Sequence, residues 1–142
     1  MNIWSDEWDV NQAEGRSQRL SSGDTVGLTL YELSKGGGIA YHFHHGSEEI
    51  LVVLQGRLTL RTPSGASELR SGDVVHFPVG AEGAHAITKE DDEPVRYLMF
   101  STRVSPNVTE YPDTRKLAVY ARTENQFGDE LSEVWTLEPR EK

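Results

Sequence analysis

The sequence predicts an all-β fold of antiparallel strands closed into a sandwich or barrel, and three observations carry that expectation. Turn chemistry recurs along the chain, at Ser22-Gly23-Asp24, Gly36-Gly37-Gly38, Gly46-Ser47, Gln55-Gly56, Pro63-Ser64-Gly65, Ser71-Gly72-Asp73, Gly80 to Gly83 and Asp91 to Pro94. The runs between these turns are 4 to 8 residues long and mostly rich in Val, Ile, Thr, Tyr and Phe. No window of about 12 residues combines a 3.6-residue apolar period with helix caps. In chain order the expected strands are Leu28 to Leu33, Ile39 to His44, Glu49 to Gln55, Leu58 to Thr62, Val74 to Phe77, Ala84 to Thr88 and Val95 to Thr102. Before them, Trp4 and Trp8 at i, i+4 among acidic neighbours fit a helical turn that lays two indoles on the barrel, as packing or as a dimer arm. After them, turn punctuation thins beyond Pro112. Lys116 to Ala121 and Ser132 to Leu137 are the strand candidates there, in an edge strand and a wrapping or swapped tail.

At 142 residues and 15.9 kDa the chain is expected to be one domain spanning 1–142. Its longest uninterrupted apolar run is Ile50 to Leu54, far below the roughly 20 residues that span a bilayer. Met1 to Val10 carries Asp6, Glu7 and Asp9 where an export signal carries Lys or Arg, so a cytoplasmic location is expected. With no cysteine, thiolate metal sites, disulfides and cysteine nucleophiles are excluded, and any metal is held by nitrogen and oxygen. The net charge of −9 repels phosphate backbones and anionic lipid, so neither nucleic acid nor membrane is an expected partner. Asn107-Val108-Thr109 is formally a glycosylation acceptor, but without a secretory signal it carries no weight.

All five histidines, His42, His44, His45, His76 and His85, fall within 44 residues. Strand alternation puts His42 and His44 on one face and Tyr41, Phe43 and His45 on the other. The Gly46-Ser47 turn is expected to form a hairpin that brings the Glu49 carboxylate across from the two imidazoles. Buried and unpaired, such groups cost roughly 1 to 3 kcal/mol each, and a divalent cation satisfies them together. A facing strand opened by His85 would complete a shell of three histidines and one carboxylate. His45 is expected at the rim, His76 to be structural, and Glu48 to point away from Glu49. The Gly36-Gly37-Gly38 run lacks a following Lys-Ser/Thr, so it is a flexible turn and not a phosphate loop. Tyr41, His45, His76 and Tyr97 are the titratable groups considered as general acid or base, and spacing singles out none of them.

Gly36, His42, His44, Glu49 and Gly56 match, without a gap, the Gly-x5-His-x-His-x3-4-Glu-x6-Gly pattern, and here the sequence resembles the cupin superfamily. Gly72, Pro78 and Gly80 match the second pattern of that superfamily, Gly-x5-Pro-x-Gly-x2-His-x3-Asn. The histidine, His85, comes two residues late, and Lys89 stands where the final Asn is expected. The likeness covers roughly residues 24–103, flanked by an N-terminal arm over 1–23 and a C-terminal strand and tail over 104–142. Asn2-Ile3-Trp4, the Pro78 to His85 segment and Tyr111-Pro112-Asp113 are similar to a group of small single-domain bacterial cupins. The resemblance implies a jelly-roll β-barrel (double-stranded β-helix), a central divalent metal held by His42, His44, Glu49 and His85, and a homodimer.

Imidazole and carboxylate donors favour iron or manganese, with zinc or nickel admissible. The expected function is that of a metal-dependent enzyme acting on a small polar molecule, with dioxygenase, isomerase and lyase chemistry all open. The alternative is a non-catalytic module that binds a small ligand as sensor or carrier.

Overall fold

A computed structural model describes residues 1–124 and 126–141. In chain order the strands are β1 (Val10–Asn11), β2 (Gly15–Ser22), β3 (Val26–Leu33), β4 (Gly38–His44), β5 (Glu49–Gln55), β6 (Arg57–Thr62), β7 (Gly65–Arg70), β8 (Val74–Phe77), β9 (His85–Thr88), β10 (Val95–Thr102), β11 (Asn107–Tyr111), β12 (Lys116–Glu124) and β13 (Glu130–Leu137). A single 3₁₀ turn, Ala81–Gly83, lies between β8 and β9, and no α-helix occurs among the described residues. The strands form two antiparallel sheets, ordered β1-β2-β3-β10-β5-β8 and β13-β12-β11-β4-β9-β6-β7. This is the jelly-roll arrangement, with two open sheets enclosing one interior.

Alternation along the strands fills that interior from both sheets. Val95, Tyr97 and Met99 of β10, Leu51 and Val53 of β5 and Leu33 of β3 meet Leu58 and Leu60 of β6, Leu69 of β7 and Ile87 of β9. The other face of the first sheet carries a second apolar layer of Leu20, Leu30 and Leu98, covered by Ile3, Trp8, Leu28, Val52, Leu54 and Phe100. The N-terminal arm is therefore a cover, but not the helical turn that the Trp4/Trp8 spacing suggested. No helix forms there, Trp4 is exposed, and only Trp8 packs, with the Arg16 and Arg96 guanidinia 4.6 and 5.1 Å from its ring.

The seven expected central strands are present, together with four that apolar patterning did not reveal, the two-residue β1 and three longer ones. β2, β7 and β11 read Gly-Arg-Ser-Gln-Arg-Leu-Ser-Ser, Gly-Ala-Ser-Glu-Leu-Arg and Asn-Val-Thr-Glu-Tyr. Each buries a single side chain fully, so pairing with a neighbour, not hydrophobic alternation, makes it a strand. The tail adds β11, β12 and β13 to the sheet edge beside β4.

Two local expectations change. β4 and β5 do not form a hairpin, because β4 pairs with β9 and β11 whereas β5 pairs with β10 and β8. The Gly46-Ser47 turn carries the chain from one sheet to the other. The glycine triplet, likewise, is a packed crossing and not a loose turn: a Cβ on Gly38 would lie 2.3 Å from the Ile87 carbonyl oxygen.

Candidate metal centre

Because β4 and β5 lie in opposite sheets, His42 and His44 face Glu49 across the interior instead of along one ribbon. A register shift in β4 between Ile39 and His42 lets both residues point inward, which strict alternation forbids, and sets His42 directly opposite His85 of β9. His85 is thus the lateral neighbour of His42 in the same sheet, not a donor facing it across the barrel. The two-residue delay of His85 is absorbed by the Ala81–Gly83 turn. There Gly83 packs so tightly that a Cβ would stand 1.9 Å from the Pro78 carbonyl oxygen, and its own carbonyl accepts a 2.8 Å hydrogen bond from His85 Nδ1.

These backbone contacts decide the tautomers. His42 Nδ1 donates to the Ala40 carbonyl at 2.7 Å and His85 Nδ1 donates to the Gly83 carbonyl, so each ring keeps a bare Nε2. Phe77 stacks on the His85 ring at 3.7 Å between centroids and fixes its plane. Glu49 Oε2 accepts from Ser101 Oγ at 3.1 Å, which leaves Oε1 turned toward the imidazoles. Glu49 Oε1 lies 3.9 Å from His42 Nε2, 2.9 Å from His44 Nε2 and 3.6 Å from His85 Nε2. Thr109 Oγ1 stands 3.1 Å from His44 Nδ1 and can accept its proton, which would leave His44 Nε2 bare as well.

The chemistry of these donors fits a cation. Glu49 Oε1 and His85 Nε2 are buried without a hydrogen-bond partner, and the 2.9 Å approach of His44 lacks the alignment of a hydrogen bond. Donors about 2.1 Å from a shared ion stand roughly 3 to 4 Å apart, which is the spacing found around Oε1. One ligand atom each from His42, Glu49 and His85 lies within 4.8 Å of the others; His44 falls outside that trio, with its Nε2 2.9 Å from Glu49 Oε1 and its ring edge-on to that of His42. Burial holds the His85 pKa down at about 4 and also lowers that of His42, so both rings are neutral at pH 7. Burial pushes the Glu49 carboxyl up, but the contact with His44, together with the other imidazoles nearby, outweighs it, lowers the pKa and leaves a carboxylate. Two neutral imidazoles and one carboxylate are the protonation states that metal binding needs.

The donors sit on a cavity of two lobes. One lobe, 510 Å³, holds His42, His44, Glu49 and His85 with Tyr31, Met99 and Tyr111; the other, 530 Å³, runs from His44 and Glu49 past Arg19 and Arg103 to β12 and β13. None of the four acid–base candidates from the sequence lines either lobe. Tyr41 lies 3.9 Å under Arg61, His45 faces Glu110, His76 contacts the Glu48 carboxylate at 2.9 Å on the outer surface, and Tyr97 is sealed in the core against Tyr31. Sequence reading missed Arg19, Ser101, Asn107, Thr109 and Tyr111, whose places depend on pairing between distant strands. Burial, reinforced by the Tyr120 hydroxyl, pushes the Tyr111 phenol up to about 12. Lys89, at the position of the expected Asn, is remote from the donors: its buried ammonium binds the Arg57 carbonyl and Asp91.

The described helical content offers no segment long and apolar enough to cross a membrane. No functionally curated protein matches the chain. Among solved structures it is similar to a sugar phosphate isomerase of the cupin superfamily from Silicibacter pomeroyi, with TM-score 0.71 and 23% identity over 84% of this chain and 76% of that one. A candidate sugar phosphate isomerase from Acidithiobacillus ferrooxidans matches with TM-score 0.65 and 27% identity over 83% and 76%. A polyketide cyclase from Streptomyces resistomycificus matches with TM-score 0.57 and 25% identity over 63% and 66%. The sequence profile of the cupin domain matches residues 29–101, more than half of the chain, running from within β3 into β10 and including the four donors. With that match and this donor arrangement, the chain belongs to the cupin domain family.

Proposed function

We propose that the protein is a metal-dependent enzyme acting on a small polar molecule, with His42, His44, Glu49 and His85 as the metal ligands and isomerisation as the favoured reaction. The observation that carries the ligand reading is the convergence of bare, buried donor atoms, Glu49 Oε1 and His85 Nε2, on a point that His42 and His44 also face. Iron or manganese suits this donor set with positions left for a substrate oxygen. When bound, such a cation supplies Lewis-acid polarisation of a carbonyl or hydroxyl oxygen.

The chain's own residues do the rest. The Ala40 and Gly83 carbonyls hold two rings with Nε2 inward, Ser101 orients Glu49, and the apolar floor of Tyr31 and Met99 limits water. Tyr111, protonated at neutral pH and 6.0 Å from the His42 ring, is placed to donate a hydrogen bond to a substrate oxygen. Isomerisation is favoured over dioxygenation and lyase chemistry by the 27% identical neighbour from Acidithiobacillus ferrooxidans. A homodimer is part of the same proposal, since β13 is an unpaired sheet edge with Trp135 and Val134 exposed; sedimentation velocity reads it.

The test is elemental analysis of tag-free protein, followed by aldose–ketose interconversion assays on a panel of small sugars and their phosphates. About one transition metal per chain, lost in the His42→Ala/His44→Ala variant together with turnover, is the expected result. Metal retained by that variant defeats the ligand set. Full metal occupancy with ligand binding and no turnover on any substrate moves the protein to the sensor or carrier alternative.

A further inference from the structure

The mouth of the cavity carries charge opposite to that of the molecule. Against a net −9, the lobe that opens from His44 and Glu49 is lined by Arg19, Arg103 and Arg122, with Glu133 as its other carboxylate. Most arginines of the protein are neutralised in place: Arg16, Arg57, Arg61, Arg70, Arg96 and Arg122 each pair with a carboxylate. Arg103 is held differently. Its Nη1 donates to Ser22 Oγ at 2.7 Å and to the Gly23 carbonyl, neutral acceptors that fix the guanidinium and leave its charge uncompensated. Among the described residues the Arg19 guanidinium has neither a hydrogen bond nor an ion pair.

The fold aims Arg19 at the cavity. It pairs with Thr29 of β3, and Thr29 pairs with Met99 of β10, whose side chain lies on the interior face and lines the metal lobe. Directly paired residues share a face of the sheet, so Arg19 projects to the same side. Arg19 also borders both lobes, as do His44 and Glu49. An exposed planar guanidinium with free N–H donors at the mouth of an open cavity is an arrangement that binds carboxylate or phosphate through paired, charge-assisted hydrogen bonds.

We infer that Arg19, supported by Arg103, binds an oxyanion of the substrate, a phosphate or carboxylate, while the reacting oxygens lie toward His42, His44, Glu49 and His85. This deepens the proposed function by giving the substrate class, an anionic small molecule, and only its reacting end rests on that reading. Lobes of 510 and 530 Å³ suit a ligand of that kind, within the roughly 300 to 1,000 Å³ of small-molecule sites.

The test titrates inorganic phosphate and, separately, malonate into the full-length protein as purified, by calorimetry and thermal shift at low ionic strength. Saturable binding of at least one anion is expected, weakened about tenfold or more in Arg19→Gln and further when Arg103→Gln is added. Arg19→Lys keeps the charge but not the fork, so it is expected to lose part of the affinity and provides a readout if the glutamine variant folds poorly. Arg70→Gln, an exposed guanidinium paired with Glu68 outside both lobes, is expected to bind as the unmodified protein does. Which anion binds tells phosphate from carboxylate. No saturable binding of either anion below about 10 mM, or unchanged affinity in both Arg19 variants, overturns the inference. Metal content is measured on every sample. Arg19-dependent anion binding in a protein whose metal is retained by the His42→Ala/His44→Ala variant would defeat the ligand reading and leave the oxyanion site standing.

Discussion

Ser101 acts on the site through one atom. By donating to Glu49 Oε2 it leaves Oε1 as the oxygen that faces three imidazoles. Removing such an outer hydrogen bond typically weakens a metal site about 10- to 100-fold. Ser101→Ala is therefore expected to lower metal affinity by that factor in competition with a chelator, with little change in the stability of the metal-free protein. Equal affinity in the variant would show that Glu49 needs no such support. Gly83 is constrained more tightly, since any side chain there drives into the Pro78 carbonyl. Gly83→Ala is expected to displace the turn that holds His85 Nδ1, so metal content and melting temperature fall together; a variant with normal content of both would contradict the packing.

Between elements, the N-terminal arm is tied to the first sheet by a charged knot. Glu32 of β3 accepts from Arg96 of β10 at 2.7 Å and pairs with Arg16 of β2, while Arg96 Nη1 also donates to the Ile3 carbonyl at 3.0 Å and the Ser5 carbonyl at 3.2 Å. Burial raises the Glu32 pKa, but the hydrogen bonds of both arginines outweigh it and leave it below the ordinary value. Glu32→Gln leaves the Arg96 guanidinium without its carboxylate and Arg16 with only the exposed Asp6, and is expected to destabilise by about 3 kcal/mol in denaturant titration. A depressed carboxyl pKa means that its contribution is complete above the unfolded value, about 4.3, and is lost as pH falls through the folded value. The gap between the two proteins should therefore be constant at neutral pH and narrow below about pH 4. A gap that widens on acidification would reverse the assigned sign.

For the whole molecule, the cation is expected to act as a fold stabiliser because its donors come from β4, β5 and β9, two of them in one sheet and one in the other. At free metal about 1,000-fold above its dissociation constant, binding only the folded state adds roughly 4 kcal/mol. Chelation should then lower the melting temperature by on the order of 10 °C, and re-addition should restore it. An unchanged melting curve across chelation of metal-loaded protein would separate the site from the fold.

Much of the fold was legible because its central strands alternate and are punctuated by glycine turns. Four strands were not: β1 is two exposed residues, and β2, β7 and β11 each bury one residue deeply and owe their state to their neighbours. The candidate donors His42, His44 and Glu49 were legible for a local reason: their spacing is compatible with one interior point, and the residue types are costly to bury without a partner. His85 was legible by order along the chain, but its geometry was not, because a 3₁₀ turn absorbs its two extra residues. The amino-acid sequence by itself determined an all-β, cysteine-free, acidic chain with a polar cluster at its centre, since composition and near-neighbour periodicity are local properties. Only the tertiary structure decided that the first two histidines and Glu49 lie on opposite sheets, that a register shift turns Ile39 and His42 to one side, and that Arg19 and Thr109 stand beside them. Those relations are made by hydrogen bonds between segments tens of residues apart, where no sequence period reaches.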